Sequence, residues 1–280
     1  MPDKLEKIGH SLVQHGDENR RVYLIKLDER DMDRIIPHIE RLARENRYEK
    51  ILCKVPEWGR ERFKKGHFQL RATIPGFYQG KEPVYFMVKF PAPRRMRLTD
   101  EHRRKIQFNL DLAKSKASDT AVSEIPSHCT IRRLKVSDAD SLARLYDRVY
   151  DSYPFPITEP AYLRKTMKTH VDYFGIFLKT ALIAAASGEK DLEAANAEMT
   201  DFATLPDYRG KGLATALLCR MESEMKRRKI RTLYTIARAL SPGMNITFAR
   251  CGYHFSGTLI NNTQIAGQIE SMNVWYKQIG

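Results

Sequence analysis

A carboxylate, an arginine and two glycines lie close together in the stretch Glu198-Met-Thr-Asp-Phe202-Ala203-Thr204-Leu205-Pro206-Asp-Tyr-Arg209-Gly210-Lys211-Gly212-Leu213-Ala214. Its first part reads as a strand, and Pro206 ends sheet pairing. The two glycines remove Cβ atoms where successive main-chain N–H groups would converge. A good helix former follows, so those donors sit at a helix N-terminus, where free N–H groups and the helix dipole both favour an anion. This is the pattern of a diphosphate cradle. It is neither the nucleotide-hydrolase loop, because no G-x-x-x-x-G-K-[ST] can be written, nor the dinucleotide fingerprint, because Thr215 takes the third glycine position.

Glu198 precedes the cradle, and a carboxylate beside a bound ligand could serve as a general base. Asp201 lies three residues on. Strand alternation puts it on the opposite face, so both acids serve one site only across a bulge. Glu198 is therefore the candidate base. A main-chain N–H near Phe202–Ala203 is the candidate donor to a developing oxyanion.

These residues need a strand–turn–helix unit to position them, and the surrounding pattern supplies one. After a strand at 128–133, helical spacing of Leu142, Leu145, Tyr146 and Val149 predicts a helix that Ser137 and Asp138 cap. Asp151–Pro160 is a proline-rich structured loop. Strands are expected at 173–178, 180–186 and 197–204, a helix at 213–226, a strand at 232–237, a helix at 242–250, and two closing strands after Gly252. The earlier part predicts a strand at 22–27, a helix over 31–47 with Ile35, Ile39, Leu42 and Ala43 inward, a strand at 51–55, a short helix at 57–65, Gly66 and a hairpin ending at 84–90. Alternation of strands and helices makes the class α/β. Strand, helix, glycine and hairpin recur in the same order in both parts, which suggests that the first is a degenerate copy of the C-terminal half of the second. It has no glycine turn of its own, so no cofactor is expected there.

Arg209-Gly-Lys-Gly212-Leu-Ala214, its upstream strand, the Leu-Pro-Asp-Tyr lead-in and the later Gly252-Tyr253 resemble the R/Q-x-x-G-x-G/A motif and flanks of the GCN5-related N-acetyltransferases (GNAT) over residues 128–280. The resemblance implies a GNAT fold, a mixed and mostly antiparallel sheet flanked by helices, preceded by a degenerate GNAT-like α/β unit. Residues 1–93 would form that unit, 94–127 a helical linker and 128–280 the acetyltransferase domain. It implies acetyl-CoA as donor, held by Phe202, Ala203, Thr204, Leu205, Arg209, Gly210, Lys211, Gly212, Leu213, Ala214, Asn245 and Phe248. The pantetheine arm would add along the 202–205 strand edge. The family often has a tyrosine as general acid four residues before the Gly-Phe glycine; Phe248 stands there, which leaves Tyr253, Tyr234 or a water.

Further strings run nearly end to end: Lys54-Val-Pro56, Ile74-Pro-Gly-Phe-Tyr78-Gln-Gly80-Lys81, Tyr153-Pro-Phe-Pro156, Met244-Asn245-Ile-Thr-Phe248, Asn261-Asn262-Thr263 and Glu270-Ser-Met-Asn-Val-Trp275-Tyr276. They are similar to the β-lysine Nε-acetyltransferase branch, which implies β-lysine as the small-molecule partner and the compatible solute Nε-acetyl-β-lysine as product. Candidate acceptor contacts are Tyr78, Lys81, Tyr153, Phe155, Asn261, Asn262, Glu270 and Asn273. The same chemistry on another diamine or a protein lysine is the enzymatic alternative, and a non-catalytic CoA- or RNA-binding module the other.

Composition limits the rest. The 280 residues hold 48 Lys+Arg against 34 Asp+Glu, a formal +14 that is spread over both halves. The basic runs 94–104 and 226–231 read as solvated helix faces, and His10 and His15 as surface. No zinc-finger or aromatic-basic string supports a nucleic-acid ligand. Cys53, Cys129, Cys219 and Cys251 lack metal or disulfide spacing, and no metal is expected. No leader or membrane-length apolar run is evident, so a cytoplasmic protein is expected. A homodimer is compatible with these features.

Overall fold

The computed structural model describes residues 3–117, 125–153, 155–265 and 267–280; residues 118–124 of the expected linker and Pro154 of the expected loop lie outside it. The first unit consists of β1 (Lys4–Ile8), β2 (Ser11–Gly16), β3 (Arg21–Lys26), α1 (Met32–Glu45), β4 (Lys50–Pro56), α2 (Arg60–Lys65), β5 (Gln69–Tyr78) and β6 (Glu82–Lys89). Then come α3 (Asp100–Ser115), β7 (Cys129–Arg133), α4 (Ala139–Val149), α5 (Pro160–Met167), β8 (Val171–Leu178), β9 (Ala181–Asp191), β10 (Asn196–Thr204), α6 (Leu213–Arg227), β11 (Thr232–Arg238), α7 (Pro242–Arg250), β12 (His254–Ile265) and β13 (Gln268–Gln278).

Local chemistry accounts for the helices. In α1, Ile35, Ile39 and Ala43 are fully buried at a spacing of four, which aligns them on one side of the helix. Thr99 caps α3 by accepting from His102 N at 3.2 Å. Asp138 begins α4, but its carboxylate accepts from Lys135 N at 2.7 Å and pairs with Arg132 instead of capping the helix. The sequence pattern missed β1, β2 and α5.

Both sheets share one topology. The first runs β1-β2-β3-β4-β6-β5, and the second β12-β13-β11-β10-β9-β8-β7. From β8 to β13 the second repeats the first strand for strand, with its parallel pair β10–β11 matching β3–β4. The repeat extends beyond the expected half. At the start of α1, the first unit's counterpart of the glycine turn, Asp31 is buried and turns its carboxylate to the β1–β2 turn, accepting from His10 N at 2.7 Å, Ser11 N at 2.8 Å and Ser11 Oγ at 2.8 Å.

One face of the second sheet is covered by α3, α6 and α7, whose core includes Leu110, Leu217, Met221, Phe248 and Trp275. The other face has two coverings. The α4–α5 region packs over its β8–β10 side through Tyr146, Leu163 and Tyr173. The first sheet packs over its β11–β13–β12 side, joining Leu52, Ile74 and Phe86 to Leu259, Met272 and Val274.

Buried cations stitch this junction. Arg21 Nη1, Lys50 Nζ and Arg95 Nε donate to the carbonyls of Asn262, Ile260 and Asn261 at 2.8, 2.7 and 2.8 Å. Arg95, in a run expected to be solvated, is thus 5% exposed. His15 is also buried instead of surface-facing, between the Tyr48 hydroxyl and Glu6. Among the described residues, no helix is long and apolar enough to cross a membrane.

Candidate active site

The site forms where the two coverings meet, beside a split in the second sheet. β10 pairs with β11 only from Asn196 to Glu198, and the strands then part. On its other side β10 carries a bulge. Thr200 faces Ser187 and Ala203 faces Ala185, leaving Asp201 and Phe202 opposite Ala186, with Asp201 at φ 52°. The extra residue reverses alternation, so Glu198 and Asp201 lie on one face, contrary to expectation. Tyr150 Oη fixes the bulge by donating to the Phe202 carbonyl at 2.7 Å.

A cavity of about 580 Å³ opens along this split. Phe202, Thr204, Arg209, Gly210, Gly212, Leu213, Ala214 and Phe248 line it, as expected. Gly210 and Gly212 have φ of 75° and 72°, the left-handed region that glycine enters freely. Open space lies over Gly210, where an added Cβ would meet nothing within 4 Å. The first turn of α6 therefore borders the cavity, where the helix N-terminus favours an anion, with Arg209 and Arg238 on its wall.

Other expected cofactor contacts are elsewhere. Ala203 is buried in the α4–α5 core, Leu205 N donates to Ile183 O at 3.0 Å, and the Lys211 ammonium lies 5.1 Å from the Tyr208 ring centroid. Asn245 is a scaffold residue. Its amide donates to Arg238 O at 2.9 Å and Ser241 O at 2.8 Å, while its oxygen accepts from Asn273 Nδ2 and Trp275 Nε1 at 2.9 Å each.

A second cavity, of about 630 Å³, occupies the seam between the first sheet and the α5 region. Tyr78 and Phe155 line it as expected, together with Lys54, Glu189 and Tyr234. Tyr153 instead faces the first cavity and donates to Asp201 Oδ1. Lys81 is exposed in the β5–β6 turn. Asn261 Nδ2 donates to Arg95 O and Arg97 O, Asn262 to Thr263 Oγ1, and Asn273 accepts from Thr258 Oγ1, so these three belong to the framework. Glu270 is paired with Arg238 at 2.8 Å.

Glu198 itself lines neither cavity, but its neighbours line both: Glu189 and Tyr234 the seam, Thr200 and Asp201 the split. It is the cross-strand partner of Glu189, and Asp201 completes a group of three carboxylates on one face. Burial raises the pKa of Glu198, opposed by the Lys54 ammonium and the Tyr234 hydroxyl and assisted by Asp201. Glu189 is raised by burial and then by its acidic neighbours. Asp201 is raised by burial but held by Ser187 Oγ at 2.6 Å, Tyr153 Oη and Thr200 Oγ1. Glu198 is thus the less restrained of the two candidate bases. Of the alternative acids, Tyr253 is buried against Phe248 and Tyr234 lines the second cavity, so the phenols on the first are Tyr150, Tyr153 and Tyr208.

Sequence reasoning passed over Glu189 and Lys54 as a cavity residue, and it set Asp201 on the opposite face for want of the bulge. Glu189 was within reach, because counting outward from the β9–β10 turn sets it opposite Glu198.

Residues 140–253 match the acetyltransferase (GNAT) family. Across 98% of both proteins the chain is 37% identical to a beta-lysine N(6)-acetyltransferase of Methanococcus maripaludis. The chain belongs to the GNAT acetyltransferase family. This acetyltransferase is also 32% identical to N-acetyltransferase YodP of Bacillus subtilis over 96% of each chain. A beta-lysine N(6)-acetyltransferase of Methanosarcina mazei is 36% identical to it over 56% of this chain and 58% of its own. The enzyme is an acetyl-CoA-dependent N-acetyltransferase. Among the described residues, no group of three or more His, Cys, Asp or Glu side chains could hold a metal.

Proposed function

We propose that this acetyltransferase acetylates the terminal amine of β-lysine, with acetyl-CoA in the split-strand cavity and the amine in the seam cavity. The observation that carries this reading is the position of Glu198 at the last β10–β11 pair, with its neighbours Glu189 and Tyr234 on the seam cavity and Thr200 and Asp201 on the split-strand cavity. The relatives named for β-lysine support the choice of acceptor. So does the size of the seam cavity, which suits a small diamine.

The residues present fit acetyl-CoA. The main-chain amides of the glycine turn and the start of α6, Gly210 to Ala214, would hold its diphosphate, and the β10 edge freed after Glu198 would pair with its amide-bearing arm. Acetyl-CoA supplies an activated thioester. Glu198 takes one proton from the acceptor ammonium, freeing the lone pair that forms the C–N bond as the C–S bond breaks and sulfur leaves as thiolate; the second proton shed by the nitrogen passes through water to that thiolate or to solvent. Main-chain groups released by the bulge at Asp201–Phe202 stand where charge develops on the carbonyl oxygen. Phe248, packed edge-on against Phe202 at 5.6 Å, offers no proton to the thiolate. The product has one positive charge fewer than β-lysine and is a neutral zwitterion, as suits a compatible solute.

Mass spectrometry of the product made from acetyl-CoA and β-lysine tests the proposal. One acetyl group on the terminal nitrogen is expected; acetylation of the 3-amino group, or none, overturns it.

A further inference from the structure

Lys54 lines the seam cavity from the middle of the first sheet and is only 9% exposed. Its ammonium has one protein hydrogen bond, to Tyr234 Oη at 3.5 Å, which is long for such a contact. The ring centroids of Tyr23, Phe77 and Tyr234 lie 5.7, 5.9 and 5.8 Å from Nζ, so aromatic faces surround much of the charge. Among the described residues, no carboxylate comes within ion-pair distance of it; Glu198, Glu189 and Asp191 act on it only at longer range.

A buried cation is normally paired. An ammonium has three donors, and one weak bond leaves Lys54 with capacity for an anion in the cavity. The other basic residues on the wall are already engaged or exposed. Lys190 pairs with Asp172 at 2.7 Å, Lys26 with Glu193 at 2.8 Å, and Lys165 is exposed. Lys54 is therefore the buried cation on this wall that lacks an acidic partner. Across the same cavity Glu189 presents an acid suited to an ammonium.

We propose that Lys54, supplied by the degenerate first unit, receives the carboxylate of the acceptor and so selects a diamino acid over a plain diamine. This rests on the assignment of a β-lysine-like acceptor to the seam cavity. The first unit, which has no glycine turn of its own, would then contribute specificity to the second.

Steady-state kinetics at saturating acetyl-CoA test this with β-lysine, its methyl ester and 1,4-diaminopentane, which is β-lysine without the carboxylate. In the wild type, KM for the ester and the diamine should exceed that for β-lysine by about 10–100-fold, the usual effect of losing a hydrogen bond to a charged group. At a pH above the acidic limb, Lys54→Met should raise KM for β-lysine by a similar factor, with kcat little changed and the diamine almost unaffected. Lys54→Arg should recover part of the loss. The acidic limb itself should move up in Lys54→Met in any case, because the ammonium lowers the Glu198 pKa; equal losses for β-lysine and diamine above that limb would overturn the proposal. The ester comparison needs no variant, so a misfolded Lys54→Met leaves the test intact. A wild type that turns over β-lysine and its ester equally well defeats the role of Lys54 alone. One that acetylates the diamine but not β-lysine defeats the proposed function as well.

Discussion

Glu198 and Asp201 share a face, yet their partners divide them. Three side chains donate to Asp201, which stabilises it as a fixed acceptor, while Glu198 retains capacity for an incoming proton. Glu198→Gln should lower kcat/KM for the amine by about 10²–10⁴-fold with the KM for acetyl-CoA retained. The pH profile carries a further signature. Burial raises the Glu198 pKa, so wild-type activity should fall as pH drops through a value above the ordinary carboxylate range, where the base becomes protonated. The glutamine variant should lack that limb and follow the ionisation of the amine alone; a variant that keeps it places the base elsewhere. Asn245 makes the opposite case. Asn245→Ala would strand the donors of Asn273 and Trp275 in the core, and urea unfolding should show a loss of about 3 kcal/mol with the KM for acetyl-CoA unchanged. Of these residues, Glu198 was legible as a candidate because it lies in one contiguous string with the glycine turn. Asn245 was misread because a buried amide and a ligand-binding amide look alike until their neighbours are known.

Among the elements, the turn before α6 was the most readable, since two glycines, a preceding proline and a following helix former all act over a few residues. The bulge in β10 was not readable. It depends on Asp201 taking a left-handed conformation that Tyr150, Tyr153 and Ser187 support from other elements. β1 and α5 were missed because charged residues interrupt their apolar pattern, and β2 because its apolar pair Leu12–Val13 is flanked by polar residues without alternation. Gly210→Ala probes the turn. An added methyl meets nothing within 4 Å, so its structural cost is the backbone strain of about 1–2 kcal/mol for a non-glycine residue in this region. The methyl projects into the space proposed for the diphosphate. Calorimetry should therefore show acetyl-CoA affinity reduced at least about tenfold, or ~1.4 kcal/mol, alongside a modest fall in Tm. Undiminished affinity would remove the turn from the binding site.

For the whole molecule, the repeated topology was partly visible as a repeated order of helix, strand, glycine and hairpin, but the packing of one copy on the other was not. That packing buries Phe86 completely in a core shared by both sheets. Phe86→Ala should cost about 3–5 kcal/mol, and tryptophan fluorescence and far-UV circular dichroism should report one coincident unfolding transition. Two separated transitions would mean that the halves fold independently. The two cavities have no lining residue in common, although both border the same small group of acids. Separate doorways let either reactant arrive first and stay while the other enters. The layout thus favours a ternary encounter with direct hand-over, leaving no need for a relay in which the enzyme itself carries the acyl group between visits.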